Sequence, residues 1–187
     1  MFARFSSQLQ RLSSTRTILI FLALFVLFEV VILPVAGARL EALSGGVGPI
    51  DLNLINTPSG VQSMVAAYGS EGCLLYLILQ LTADVVFPIV YSLFLALTLT
   101  RFLVRGFPAG RPAQYLAFAP LLGALFDYGE NLGIIILLLI YPEELFIAAL
   151  LPTLFTPLKW LMFAVSVLGL IVAVVAVLQR RRSPARA

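Results

Sequence analysis

Long runs of apolar residues, separated by short polar segments, dominate the chain. A helix rises about 1.5 Å per residue, so about 20 apolar residues cross a hydrocarbon core of about 30 Å. Four runs reach this length and predict transmembrane helices over about residues 17–37, 73–100, 113–141 and 157–178. No repeat or linker interrupts the pattern, which therefore predicts an all-α fold: a single membrane domain in the form of a four-helix bundle.

Helix-start signals lie between these runs. A Thr-Pro pair at 57–58 is typical of an N-cap followed by proline, and predicts a short helix over 57–68 that Gly69 ends. Pro142, followed by two acids, predicts a second short helix to Leu151. Another Thr-Pro pair, at 156–157, predicts the start of the fourth span. We expect both short helices to lie at the membrane interface, in the two loops outside the cytoplasm.

The basic residues indicate how the chain is oriented. The loops after the first and third predicted spans hold only Arg39, with Lys159 at the start of the fourth span. By the positive-inside rule both ends should be cytoplasmic, which requires an even number of spans. The N-terminal segment is either a solvated tail or a short interfacial helix with Phe2 and Phe5 on its apolar face. The remaining arginines form three groups: Arg4, Arg11 and Arg16; Arg101, Arg105 and Arg111; and Arg180, Arg181, Arg182 and Arg186.

The first span has an alternative interpretation. The small residues Ala36-Gly37-Ala38 resemble a signal-peptide cleavage site. The apolar run before them is long for a signal peptide, and it contains Glu29 and Pro34. We therefore favour a retained membrane helix.

Composition restricts the chemistry. The chain of 187 residues is 61% hydrophobic and 11% charged, and its mean hydropathy is +1.05. It has no histidine and one cysteine, Cys73, so the usual zinc sites, haem ligation by histidine and an intrachain disulfide are not expected. We predict no metal and no cofactor. No basic patch is interleaved with aromatic residues, so nucleic acid is not an expected partner.

Acidic residues inside the predicted spans are the main candidates for function. An acid at the centre of a membrane helix costs roughly 2.5–3.5 kcal/mol on insertion scales. Such groups must therefore face each other, a cation or water, and Lys159 is the candidate cation. Measured from the outer end of each span, the estimated depths are roughly 12 Å for Glu29, 17 Å for Asp84, 16 Å for Glu130 and 21 Å for Asp127.

Helical spacing groups further polar residues with these acids. Tyr76, Gln80, Asp84, Pro88 and Tyr91 recur every three or four positions and should share a face. The same spacing joins Asp127 to Glu130 and Asn131 on the third span. The predicted cavity opens outward and is lined by Glu29, Asp84, Asp127, Glu130 and Asn131. The complete predicted polar site is Glu29, Gln80, Asp84, Tyr91, Asp127, Tyr128, Glu130, Asn131 and Lys159.

Three motifs carry a resemblance to a known group. They are Asp84 to Tyr91 (D-x-x-F-P-x-x-Y), Asp127 to Asn131 (D-Y-x-E-N) and Leu158-Lys159-Trp160 (L-K-W). Together they resemble a group of small, uncharacterised bacterial integral membrane proteins with four spans. The resemblance covers roughly residues 58–165. It implies a multi-pass protein of the bacterial inner (plasma) membrane, and it implies no reaction because the group has no established activity.

Three functions fit these observations. The first is binding or carrying a lipid or small amphiphile, with the acids as its polar anchor. The second is a structural or assembly subunit in which the acids join the helices by hydrogen bonds. The third is an intramembrane enzyme using a carboxyl pair for acid/base chemistry on a lipid. A proton-coupled transporter would need a homo-oligomer, because four spans without a repeat form no path.

Overall fold

The protein is nearly all helical. The structure, a computed structural model, describes residues 8–108 and 112–182, except for the side chains of residues 181 and 182. Within these ranges there is no strand, and five helical stretches are long and apolar enough to cross a membrane. The prediction of an all-α membrane protein is therefore confirmed. The predicted N-terminal helix begins outside the described residues, where Arg4, Arg111 and Arg186 also lie.

The first apolar run forms one helical rod with a π-turn in it. Helix α1 (Thr15–Leu27) begins at Ser14, whose Oγ accepts a hydrogen bond from the Thr17 amide at 3.1 Å. It continues through a π-helical turn (Phe28–Ile32) into α2 (Leu33–Leu43), beyond the predicted end at residue 37. The Leu33 amide donates to the Phe28 carbonyl five residues back, and Pro34 has no amide to donate. The π-turn thus places Glu29 where the regular hydrogen-bond pattern is interrupted.

The predicted second span is divided between two helices, α3 (Pro58–Leu81) and α4 (Ala83–Gly106). They meet at Thr82 (φ −121°, ψ −79°), whose hydroxyl donates to the Ile78 carbonyl at 2.6 Å. This local bond competes with the regular helical pattern. Within α3, Gly69 has a positive φ (61°, ψ −175°) and separates 58–68 from 70–81. Thr57 caps α3 as predicted, accepting from the Gly60 amide at 3.1 Å.

The last two helices differ from the prediction at their starts. A 3₁₀ segment (Pro112–Phe118) leads into α5 (Ala119–Ile140). Helix α6 (Phe146–Arg182) then runs without interruption for 37 residues, so the predicted short helix and fourth span are one element. Pro142 precedes this helix and does not begin it. The predicted start at the Thr-Pro pair is wrong because the Thr156 hydroxyl faces the Pro152 carbonyl and the Glu130 carboxyl, 2.6 Å from each, and caps no amide.

Helix α5 lies between its neighbours and organises the bundle. Along α4 and α3, Leu103 packs with Ala117, and Tyr76 belongs to one apolar cluster with Leu137. Between these contacts, Asp84 meets Asn131. Residues 103, 84 and 76 thus lie beside residues 117, 131 and 137, in that order. Residues 70–106 therefore run antiparallel to α5 along its whole length, in one direction through the break at Thr82. The α1–α2 rod packs against α3 and α4, and α6 packs along α5.

Candidate functional site

A buried ion-pair cluster joins α5 to α6, and we define it as Asp127, Glu130, Thr156 and Lys159. The Lys159 ammonium is in salt-bridge contact with the Glu130 carboxylate and lies 3.6 Å from Asp127 Oδ1. The Glu130 side chain is completely buried, and the Lys159 side chain is only 11% exposed. Thr156 Oγ1 lies 2.6 Å from Glu130 Oε1. Each charged group in this cluster therefore has a partner of opposite charge.

Two glycines of α5 permit the close approach that builds this cluster. A Cβ atom at Gly133 would lie 2.6 Å from Leu151 Cβ and 2.7 Å from the Ala148 carbonyl oxygen. A Cβ at Gly129 would lie 2.8 Å from the Phe155 ring. Such contacts are too short for any side chain, so only glycine allows the two backbones to be this close.

A second group of hydrogen bonds secures the start of α4. Pro88 has no amide, so the carbonyl of Asp84, four residues earlier, lacks its helical donor. The Asn131 side chain supplies that donor, with Nδ2 3.1 Å from the Asp84 carbonyl oxygen. Beside it, the Tyr128 hydroxyl donates to the Val85 carbonyl at 2.7 Å. Asn131 and Tyr128 are thus used in joining α5 to α4.

A cavity of about 810 Å³ lies beside the α1–α2 rod and is also lined by residues of α3, α4, α5 and α6. Most of its wall is apolar, and part of that wall is a connected series of aromatic rings. Phe87 and Tyr91 have centroids 5.3 Å apart, and Tyr91 and Phe163 have centroids 6.4 Å apart. Trp160 follows Phe163 at 5.9 Å, and Phe25 lies 6.1 Å from Phe87. The complete lining is Phe25, Glu29, Leu33, Pro34, Ala36, Gly37, Ala38, Glu41, Pro49, Asp51, Leu52, Tyr76, Leu79, Asp84, Phe87, Pro88, Tyr91, Asp127, Lys159, Trp160 and Phe163.

Four of the acids on this wall form a separate group, which we call the open acids: Glu29, Glu41, Asp51 and Asp84. Within the part of the chain that the structure describes, the only ion pairs are those of Lys159 with Asp127 and Glu130. The open acids therefore have no cationic partner among these residues. Asp84 accepts one hydrogen bond, from Gln80 Nε2 at 3.1 Å.

The loop between α2 and α3 covers part of the cavity. The Tyr76 hydroxyl donates to Asp51 Oδ1 at 2.8 Å and accepts from the Ile50 amide at 3.2 Å. Trp160 Nε1 donates to the Asp51 carbonyl oxygen, also at 3.2 Å. Asp51 is consequently held against both α3 and α6.

The predicted site residues divide between these regions. Glu29, Asp84, Tyr91, Asp127 and Lys159 line the cavity. Gln80, Tyr128, Glu130 and Asn131 do not line it. The prediction that Glu130 and Asn131 line the cavity is wrong. Glu130 contacts Lys159 and Thr156 instead, and the Asn131 side chain donates to the Asp84 carbonyl.

Sequence reasoning missed Glu41, Asp51 and Trp160 as site residues. Both acids lie outside the predicted membrane spans, where an acid is unremarkable. Asp51 reaches the site through partners 25 and 109 positions away, and no local pattern signals such contacts. Trp160 carried one signal, its position beside Lys159 in the L-K-W motif.

The described residues contain no group of three or more metal-ligating side chains suited to an ion. No protein-family model matches the chain, and no curated protein or solved structure matches it significantly. The resemblance to the bacterial four-span group thus stays a prediction. The chemistry of the site has to be argued from its own residues.

Proposed function

We propose that this membrane protein binds a lipid or another small amphiphile in the cavity beside α1 and α2. The observation that carries the proposal is the cavity itself, with a volume of about 810 Å³ and a mostly apolar wall that also holds a group of acids. Sites for small molecules typically measure about 300–1,000 Å³ and have this kind of lining. An amphiphile matches both parts of the wall: its chain would contact the apolar residues, and its headgroup would meet the acids.

The position of the cavity supports access from the bilayer. The α1–α2 rod packs mainly against α3 and α4, while Trp160 and Phe163 of α6 face it across the cavity. A gap between the rod and α6 would let an amphiphile enter sideways without leaving the membrane. Residues of α1 are largely exposed, as expected for a helix that contacts lipid.

The proposed topology has four spans in the bacterial plasma membrane, with both ends of the chain cytoplasmic. Of the five apolar stretches, Pro58–Leu81 is interrupted at Gly69, and each part alone has about half the length needed to cross the core. Residues 70–106 follow α5 as one path, so they form the second span, with 58–68 at the outer interface.

Peptide tags at the two ends of the chain distinguish four spans from five, because an even number of spans places both ends on the same side of the membrane. Protease treatment of sealed right-side-out and inverted membrane vesicles would measure which tag is accessible. Four spans require both tags to be cleaved in the same vesicle orientation. Cleavage of the two tags in opposite orientations would contradict the topology.

Native mass spectrometry after gentle extraction would test amphiphile binding. Ala36 lines the cavity, and Ala42 is exposed on the same helix outside it. We expect a lipid-sized adduct on the unaltered chain and on Ala42→Phe, and its loss from Ala36→Phe, whose ring would occupy the cavity. Equal adducts on all three chains would show ordinary annular lipid and would contradict the proposal.

The ion-pair cluster favours a second, structural function for its two acids, Asp127 and Glu130. Glu130 has no exposed surface and is fully partnered, so it joins α5 to α6 whether or not a ligand is bound. This role and the binding role concern different residues, so both can hold in one molecule.

A further inference from the structure

We infer that the amphiphile bound in the cavity carries an ammonium headgroup, which the open acids and the aromatic wall recognise. This inference rests on the proposed function, because it names the class of amphiphile. It follows from three properties of the wall: its charge, its aromatic faces and one buried hydroxyl.

The charge of the wall favours a cation. Five acids line the cavity, and the only basic residue among its lining residues is Lys159. Lys159 is in contact with Glu130 and lies near Asp127, and it forms no ion pair with Glu29 or Asp84. An ammonium group would supply the missing partner for these carboxylates. A phosphate or carboxylate headgroup would instead meet acids with no free cation to bind it.

The aromatic rings favour the same ligand. Phe25, Phe87, Tyr91, Trp160 and Phe163 border the cavity together with the acids. The faces of aromatic rings attract cations electrostatically, and the attraction grows where water is excluded. A wall that combines acids with aromatic faces is therefore suited to an ammonium group joined to an apolar chain.

One buried polar atom points to a ligand independently. The Tyr91 residue is only 5% exposed, it lines the cavity, and its hydroxyl makes no hydrogen bond of ordinary geometry. Its neighbour is the Asp127 carboxyl, which can accept a weak hydrogen bond from it. A tyrosine hydroxyl that donates to a carboxylate still has an acceptor site on its oxygen, and an ammonium N–H could donate to it.

Intrinsic fluorescence offers a direct test, because Trp160 is the only tryptophan of the chain and lines the cavity. The purified full chain in maltoside detergent is titrated with dodecylamine, dodecanol and dodecanoic acid, which share one chain length. We expect dodecylamine to bind at least about ten-fold more tightly than the other two. Glu29→Gln with Asp84→Asn should remove that preference, and Glu71→Gln, an exposed acid outside the cavity, should keep it.

The ammonium group could belong to a simple amine or to a phospholipid headgroup. A lysophospholipid with an ethanolamine headgroup and an alkyl chain of the same length distinguishes these two sources. If it binds as tightly as dodecylamine, the natural ligand class includes such lipids; if only dodecylamine binds, the ligand lacks a phosphate. Either result supports the inference.

Equal binding of dodecanol or dodecanoic acid, abolished by Ala36→Phe, would overturn the inference and leave the proposed function standing. If Ala36→Phe changes the binding of none of these compounds, both fail. The headgroup comparison uses the unaltered chain, so it holds even where a variant does not fold.

Discussion

The acids of this protein occupy two contrasting environments. In the ion-pair cluster, Glu130 and Asp127 share Lys159, and glycines bring the helix backbones into close contact around them. In the cavity, the open acids face a space of about 810 Å³ and form no ion pair among the described residues. The two groups lie far apart in sequence and are linked in space by Asp127, which is near Lys159 and also lines the cavity.

The role of an acid inside a membrane protein depends on its partner. An acid whose charge is matched by a buried cation is explained by the packing of the helices alone. An acid beside an empty volume, with no cation assigned to it, is a candidate for contact with a ligand or water. The same residue type therefore serves two purposes, and the partner decides which.

Removing the cation of the cluster should have the largest effect. Lys159→Met leaves the fully buried Glu130 without an opposite charge. Breaking a buried pair by removing one partner costs about 3–5 kcal/mol. Chemical unfolding in detergent micelles would measure the loss.

The double variant Lys159→Met with Glu130→Gln is the matched control, because it removes both charges of the pair. We expect it to recover a large part of the lost stability. A double variant no more stable than Lys159→Met would show that the charge pair is not what holds α5 to α6.

Close packing of the same two helices gives the second prediction. In Gly133→Ala the new Cβ would lie 2.6 Å from Leu151 Cβ, so the helices must separate. Overpacking of this kind costs about 1–3 kcal/mol. Gly169→Ala is the control, since its Cβ would meet nothing nearer than 3.5 Å. If both variants unfold at the same temperature, the close approach at Gly133 has no energetic importance.

The buried face of α5 and the apolar helices could be predicted from the sequence. Helical spacing predicted that Asp127, Glu130 and Asn131 share a face, and all three are buried. Hydrophobic length predicted an all-helical chain with several helices long and apolar enough to cross a membrane, and the count of four spans stays a prediction. Such features repeat every three or four residues, so the local sequence is sufficient to reveal them.

The remaining features depend on contacts distant in sequence. The Thr156-Pro157 pair looks like a helix start, but its hydroxyl faces a buried carboxyl on another helix. Asp51 becomes a cavity residue only because Tyr76 and Trp160 hold its loop. The cavity itself is a space between elements, and no pattern along the chain encodes its size.

The cover of the cavity gives the third prediction. Trp160→Phe keeps an aromatic ring but removes the hydrogen bond from Nε1 to the Asp51 carbonyl oxygen, which measures 3.2 Å. A typical hydrogen bond contributes about 1 kcal/mol. Hydrogen exchange of the amides in the loop 44–57 should therefore accelerate by roughly five-fold. Unchanged exchange would mean that the loop is held by its other contacts alone.

The open acids should show the smallest effect on stability. Glu29 is exposed and forms no ion pair with a described residue. We expect Glu29→Gln to change the free energy of unfolding without ligand by no more than about 0.5 kcal/mol. A loss as large as that of Lys159→Met, measured in the same unfolding series, would place Glu29 with the structural acids and remove the contrast.

Photolabelling tests most directly whether an amphiphile occupies the cavity. Dodecylamine and dodecanol that carry a diazirine in the alkyl chain are incubated with the purified protein and irradiated. The labelled residues are then mapped by mass spectrometry. We expect labels on cavity residues such as Leu79, Phe87 and Phe163, lost in Ala36→Phe and retained in Ala42→Phe. Labels confined to exposed positions such as Leu125 and Leu139, and equal in both variants, would contradict it.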